Sequence, residues 1–287
     1  MFLLQALVTG VLTGGLYALL GMGLALIFGV MRIVNFAHGA FVMAGMYVAY
    51  FLYTGLGLSP YASFPIVLFA LFALGLVSYR LLVRRVMTAP HSMQILLTAG
   101  LSLVLIGLAQ LFFGADYRQL NLPQASQNDA LGPLRVNRAY LISFAVATAV
   151  AGVLRYTIAR TEFGRAMRAV TQNRFAAALV GIPVERVSAV AFAIGAACAG
   201  VGGALLLPVF YVYPTVGEPF QLRSFVIVVL GGMGSIEGAA LGGVLLGVAE
   251  SFTAYLWSDS YAPVVSFAIF LSVLLLRPSG LLGKGAA

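Results

Sequence analysis

The sequence predicts an all-α fold: a polytopic membrane helix bundle with about eight transmembrane segments plus a broken or re-entrant helix pair, in a single transmembrane domain over residues 1–287. Three observations predict it. The chain is 62% hydrophobic and only 8% charged, where a soluble domain carries about 25% charged residues. Its mean hydropathy is +1.04. Its apolar residues fall into runs long enough to cross a bilayer, which takes about 20 residues each. A single soluble core cannot hide that much apolar surface, so a soluble enzyme, a nucleic-acid-binding domain and a disordered chain are excluded. These 287 residues also leave no room for a soluble ATPase or receptor domain.

The first run, Leu3–Val30, is too long and lacks the basic start of a secretory signal, so it reads as a retained membrane helix. Gly10, Gly14, Ala18, Gly21 and Ala25 recur at helical spacing. A face of small residues lets helices pack closely in lipid. A break at Met31–Asn35 leads into run two, Phe36–Leu58. Run three is Tyr61–Val83 and run four about Met93–Gly114. The stretch Ala115–Arg138, with Asp116, Asp129 and several turn residues, reads as an exposed loop. Run five is Ala139–Ile158, and a basic segment, Ala159–Arg186, follows it. Run six, Val187–Val209, contains the one cysteine, Cys198, to which a packing role falls. A second polar loop is Tyr211–Arg223. Phe225–Ala249 is apolar but broken at Gly231–Gly238, and the last run is Pro263–Leu276.

The net charge of +8 comes from arginines in the segments between runs. Such loops stay on the cytoplasmic side. Arg80–Arg85, Arg155–Arg186 and the tail with Arg277 and Lys284 are therefore expected to be cytoplasmic. Counting crossings puts the N-terminus outside and the C-terminus inside. Parity then requires Arg223–Phe252 to cross an even number of times or not at all, so two short helices are expected to meet at Gly231–Gly238. Irregular backbone at membrane depth needs protein or water around it. The breaks at Asn35–Ala40 and Ser235–Ala239 look alike, each with an N-cap residue type and a polar residue before Gly-Ala. Broken helices at corresponding points of two halves point to a transport path. Asn35, His38, Gly39, Gly231, Gly232, Gly234, Ser235 and Glu237 are the candidates to line or gate it. For His38 the stronger reading is a structural or interfacial role, and for Glu237 a carboxylate complementing a helix dipole.

No catalytic constellation, metal-ligand spacing or cofactor fingerprint is present, and Gly280–Gly285 has the wrong spacing for a phosphate loop. An ion-coupled carrier wants buried carboxylates mid-helix; the long runs carry none, and a partner is expected to supply the energy. The basic segment contains a complete short-helix signature: Asn173 to cap, Arg174–Val180 to propagate, Gly181 for the C′ position and Pro183 to stop it. Arg165, Arg168 and Gln172 share one face upstream, and Phe175 and Leu179 share one face of the short helix. This is a docking element for a cytoplasmic partner or a basic helix on anionic lipid. A stand-alone facilitator would have no use for it.

Val30–Gly39, Gly164–Ala169 with Asn173, Ala176-Ala177 and Gly181-Ile182, Leu230–Ile236, and Arg277–Leu281 together resemble the LivH-type permeases of branched-chain amino acid ABC transporters. The resemblance covers essentially the whole chain. It implies a multi-pass permease subunit of the bacterial inner membrane, not itself an enzyme and with no cofactor. It also implies a second, related permease, two cytoplasmic ATP-binding subunits and a periplasmic substrate-binding protein as partners, with membrane lipid and no nucleic acid. ATPase coupling then falls to Arg165, Arg168, Asn173, Phe175, Leu179 and Gly181. Urea and short-amide permeases share much of the pattern, and Ala40 stands where the family often carries an acidic residue.

Overall fold

Among the described residues of the structure, a computed structural model, eight helices are long and apolar enough to cross a membrane. The structure describes residues 2–120, 122, 127–131, 134–277 and 279–283. Pro123, Gly132 and Pro133 of the polar loop and Pro278 and Lys284 of the tail lie outside the described residues. The helices are α1 (Phe2–Met31), α2 (His38–Leu56), α3 (Pro60–Leu81), α4 (His91–Phe113), α5 (Arg138–Arg160), α6 (Glu162–Gln172), α7 (Arg174–Leu179), α8 (Val184–Leu206), α9 (Gly217–Gly231), α10 (Ile236–Leu256) and α11 (Ala262–Leu276). Strands β1 (Asn128–Leu131) and β2 (Leu134–Asn137) form an antiparallel hairpin.

The connections gather at two ends of the bundle. At the hairpin end, the Arg135 N–H donates to Gln5 Oε1, and Arg118 and Val212 exchange backbone hydrogen bonds of 3.0 and 2.8 Å. At the arginine end, Arg84 pairs with Glu185 and Arg155 with Glu237, each at 2.9 Å. The core is built on α1 and α8, the most buried of the spanning helices, while α4, α5 and α11 are the least. Small residues make this possible. A β-carbon on Gly14 would lie 2.7 Å from Val244 Cα, so the small face of α1 packs directly on the backbone of α10. Gly23 and Gly195 meet reciprocally: a β-carbon on either would lie within 2.9 Å of the other's carbonyl oxygen. This joins α1 to α8 at the halfway point of α8.

Three expectations change. The polar loop Ala115–Arg138 is not featureless, because its second half pairs as the hairpin and runs into α5 through the Asn137 cap on the Ala139 N–H. Only the first helix of the broken pair is short. At 15 residues α9 is about 22 Å long, whereas α10 has 21 residues and crosses. The two breaks do not correspond as the residue pattern implied. The break before α2 meets the start of α9, where Gly39 and Gly217 pack backbone to backbone, rather than any counterpart at Ser235. The last run forms where expected, from Ala262 to Leu276, after a short turn at Asp259–Tyr261.

Candidate functional site

The first break lies deep in the bundle. Arg32 adopts a left-handed conformation (φ 56) that turns the chain off α1. Asn35 and His38 are fully buried. Asn35 does not cap α2 as expected: its Oδ1 accepts from Ala37 N–H at 3.0 Å, and Ala37 precedes the helix without a side-chain cap. The cap comes from another element. Gln221 of α9 accepts from the Gly39 N–H through Oε1 and donates to the Asn35 carbonyl at 3.1 Å through Nε2. His38 Nε2 lies 3.0 Å from the Leu20 carbonyl, and the ring rests 3.4 Å from where a Gly23 β-carbon would be. Since Gly23 packs at the midpoint of α8, α2 begins near half-depth.

Beside this junction is a cavity of about 130 Å³ lined by Phe36, Gly39, Ala40, Ser102, Ile106, Pro214, Gly217, Glu218 and Gln221. Ser102 is the midpoint of α4, a second marker of half-depth. Ala40, where an acidic residue was expected from the resemblance, lines it, and Glu218 supplies the cavity's carboxylate.

The second break lies at the arginine end. Ser235 caps α10, its Oγ accepting from the Gly238 N–H at 3.0 Å. Glu237 is exposed and paired with Arg155. Gly231 and Gly232 meet the tail: the N–H groups of Leu281 and Leu282 donate to the carbonyls of Leu230 and Gly231 at 2.9 and 3.0 Å. A β-carbon on Gly232 would lie 2.4 Å from Gly283 N. Two motifs far apart in the chain thus form one contact. Gly234 (φ 85) faces Gly29 of α1. The breaks are separate places, joined through α9.

The basic segment folds as two helices. Thr161 caps α6 and Asn173 caps α7, each side chain accepting from the N–H three residues on. Gly181 takes φ 83, the left-handed conformation a C′ residue needs. Arg165 pairs loosely with Glu162 at 3.4 Å, and Arg168 donates to the Ile158 carbonyl. Phe175 and Leu179 are 75% and 72% exposed, an apolar face with no cover among the described residues. A crevice of about 530 Å³, lined among others by Gly29, Arg32, Arg168, Gln172, Gly234 and Ser235, brings the basic segment against the second break.

Sequence reasoning missed Gln221 and Glu218, and it counted Glu250 among the few ionisable residues away from the loops but placed it at a run end. The first two sat in a segment that read as a polar loop. Glu250 sat just past the apparent end of its run, yet α10 continues to Leu256, so a buried carboxylate does lie within a long helix. Arg223 meets it at 2.9 and 3.1 Å. Among the described residues no group of His, Cys, Asp and Glu could hold a metal ion.

The chain is 32% identical to the high-affinity branched-chain amino acid transport system permease protein BraD of Pseudomonas aeruginosa, over 98% of this chain and 96% of that protein. It is 33% identical to the permease protein LivH of the corresponding system in Salmonella typhimurium and 32% identical to LivH of Escherichia coli, each over 99% of this chain and 96% of the relative. Among solved structures, PsaBC from Streptococcus pneumoniae in complex with Fab superposes with a TM-score of 0.49 at 16% identity, over 97% of this chain and 93% of that one. Residues 6–274 match the family described as branched-chain amino acid transport system / permease component, and the chain belongs to that family.

Proposed function

We propose that the chain is the membrane-spanning permease subunit of an ATP-driven importer of branched-chain or other neutral amino acids. It forms the translocation path with a second, related permease, as a heterodimer in a bacterial inner membrane. Two cytoplasmic ATP-binding subunits engage residues 159–186 and hydrolyse ATP, and a periplasmic binding protein delivers substrate. The N-terminus is periplasmic and the C-terminus cytoplasmic.

The observation that carries this reading is full-length membership of the family together with the uncovered apolar face of α7 at the arginine end. A capped six-residue helix that leaves two large apolar side chains exposed presents a face that a cytoplasmic partner can bury. The crevice between α6, the end of α1 and the second break offers a route by which movement of that partner reaches the bundle. Ala40 favours a second reading, a urea or short-amide permease.

The test is reconstitution of the assembled complex in liposomes. ATP-dependent uptake of labelled leucine, with none of urea or acetamide, is the expected result. Uptake of the amides alone selects the second reading, and uptake without ATP removes the importer assignment.

A further inference from the structure

The half-depth cavity holds a carboxylate that nothing among the described residues neutralises. Glu218 is exposed, and its carboxylate makes no ion pair or hydrogen bond among the described residues. Five other carboxylates do have partners: Glu250 with Arg223, Glu237 with Arg155, Glu185 with Arg84, Asp129 with Arg138 and Glu162 with Arg165.

The level of Glu218 follows from two independent contacts. It shares its cavity with Ser102, halfway along a 23-residue spanning helix, and it follows Gly217, which packs on Gly39 of the helix that starts at half-depth. A bare carboxylate at that level cannot face hydrocarbon. The opening it looks into is therefore a water-filled or protein-lined space, and the face carrying Phe36, Ser102 and Glu218 is the one turned from lipid.

The other polar groups at the cavity limit what it can bind. The Gly39 N–H, one of the donors that the start of α2 would offer to an anion, is already taken by Gln221. Among the lining side chains, what remains is the Glu218 carboxylate and the Ser102 hydroxyl, set among the apolar walls of Phe36, Ile106 and Pro214. That combination suits an ammonium group on a molecule with an apolar side chain, with the Ser102 hydroxyl left to donate to a neighbouring carboxylate.

We propose that Glu218 holds the ammonium group of a substrate amine as it passes the junction of α2 and α9, a way station inside the path rather than a high-affinity site. This rests on the amino-acid reading above, since urea and short amides carry no ammonium charge.

The test uses the full complex in liposomes with labelled leucine as the probe, and co-purification of the subunits as the measure of assembly. Glu218→Gln keeps the shape and removes the charge. It is expected to assemble and to lower ATP-driven uptake by about tenfold, the scale of one charge-assisted hydrogen bond. Glu218→Asp is expected to restore most of the rate. Wild-type uptake in Glu218→Gln overturns the proposal. Loss of assembly in Glu218→Gln overturns it as well, because the carboxylate would then be a contact to the second permease. A wild-type complex that takes up amides but no leucine overturns the amino-acid reading and this proposal together, whereas a leucine-transporting complex indifferent to Glu218→Gln leaves that reading standing.

Discussion

Arg223 of α9 and Glu250 of α10 bury a charge pair that four helices share. Ser266 of α11 donates to Glu250 Oε1 at 2.6 Å, and the guanidinium lies 5.4 Å from the ring centre of Tyr17 in α1. Only 19% and 9% of the two side chains are exposed. A charge so placed is tolerable because it is paired, so removing one partner costs more than removing both. Glu250→Ala is expected to destabilise the protein by about 3–5 kcal/mol, and Arg223→Met added to it to recover a good part of the loss. Thermal unfolding in detergent measures both, and equal stability of the single and double variants would contradict the account. A second residue-scale effect lies in the hairpin. The Arg138 guanidinium, which donates to both Asp129 oxygens, holds that carboxyl below its ordinary range. A lowered folded-state value contributes stability above the unfolded carboxyl's value and loses it as pH falls through the folded one. The hairpin is therefore expected to lose amide protection first in acid, below the normal Asp range. Hydrogen exchange over residues 127–138 reads this out, and Asp129→Asn should abolish the dependence.

At the scale of the element, the basic segment is the clearest case of a part legible in sequence. Asn173, Gly181 and Pro183 are local signals with local consequences, and α7 forms between them as expected. Its apolar face gives a prediction: Phe175→Asp with Leu179→Asp should abolish substrate-stimulated ATP hydrolysis in the assembled complex while membrane insertion is unchanged. Normal stimulation in the double variant would remove α7 from the coupling path. The small face of α1 was equally legible, because small residues at helical spacing in lipid mean close packing. What the sequence concealed were tertiary partners. Nothing local tells that Gln221 caps α2 from 182 residues away, or that the tail closes the carbonyls of the Gly231 break. Composition also hid the start of α9. Pro214, Glu218 and Pro219 make it read as a loop, but a proline in the first turn of a helix costs no hydrogen bond, and the helix begins at Gly217. The same partners sort two glycines that looked alike. Gly39→Val would drive a β-carbon to within 2.4 Å of the Gly217 carbonyl oxygen and part α2 from α9, so loss of transport should come with loss of assembly. Gly234 faces only Gly29, at 3.1 Å, but its φ of 85 strains any side chain. Gly234→Val should assemble and lose flux, and wild-type flux in that variant would make the second break a packing feature.

For the whole molecule, the distribution of charge between the two ends decides how it sits in the membrane. Ion pairs and the crevice bring Arg32, Arg84, Arg155 and Arg168 to one end with the second break and the tail, while Arg118, Arg135 and Arg138 stand at the other with the hairpin. Loops with excess arginine are retained in the cytoplasm, and this bundle gives each loop one end only. The helix order agrees. From the hairpin end α1 descends, α2 returns from half-depth, α3 descends, α4 rises and α5 descends, after which α6 and α7 lie at the arginine end. Next α8 rises, α9 drops from half-depth to the arginine end, α10 rises and α11 descends. The short α9 is what lets the chain begin and finish at opposite ends. With Cys198→Ser as background, Gln127→Cys is expected to react with a membrane-impermeant maleimide in intact cells. Val180→Cys, 76% exposed beside α7, is expected to react only after the cells are opened. The reverse pattern would invert the whole assembly. It would put the uncovered face of α7 where no ATP-binding subunit could reach it, and would remove the coupling role of residues 159–186 along with the orientation.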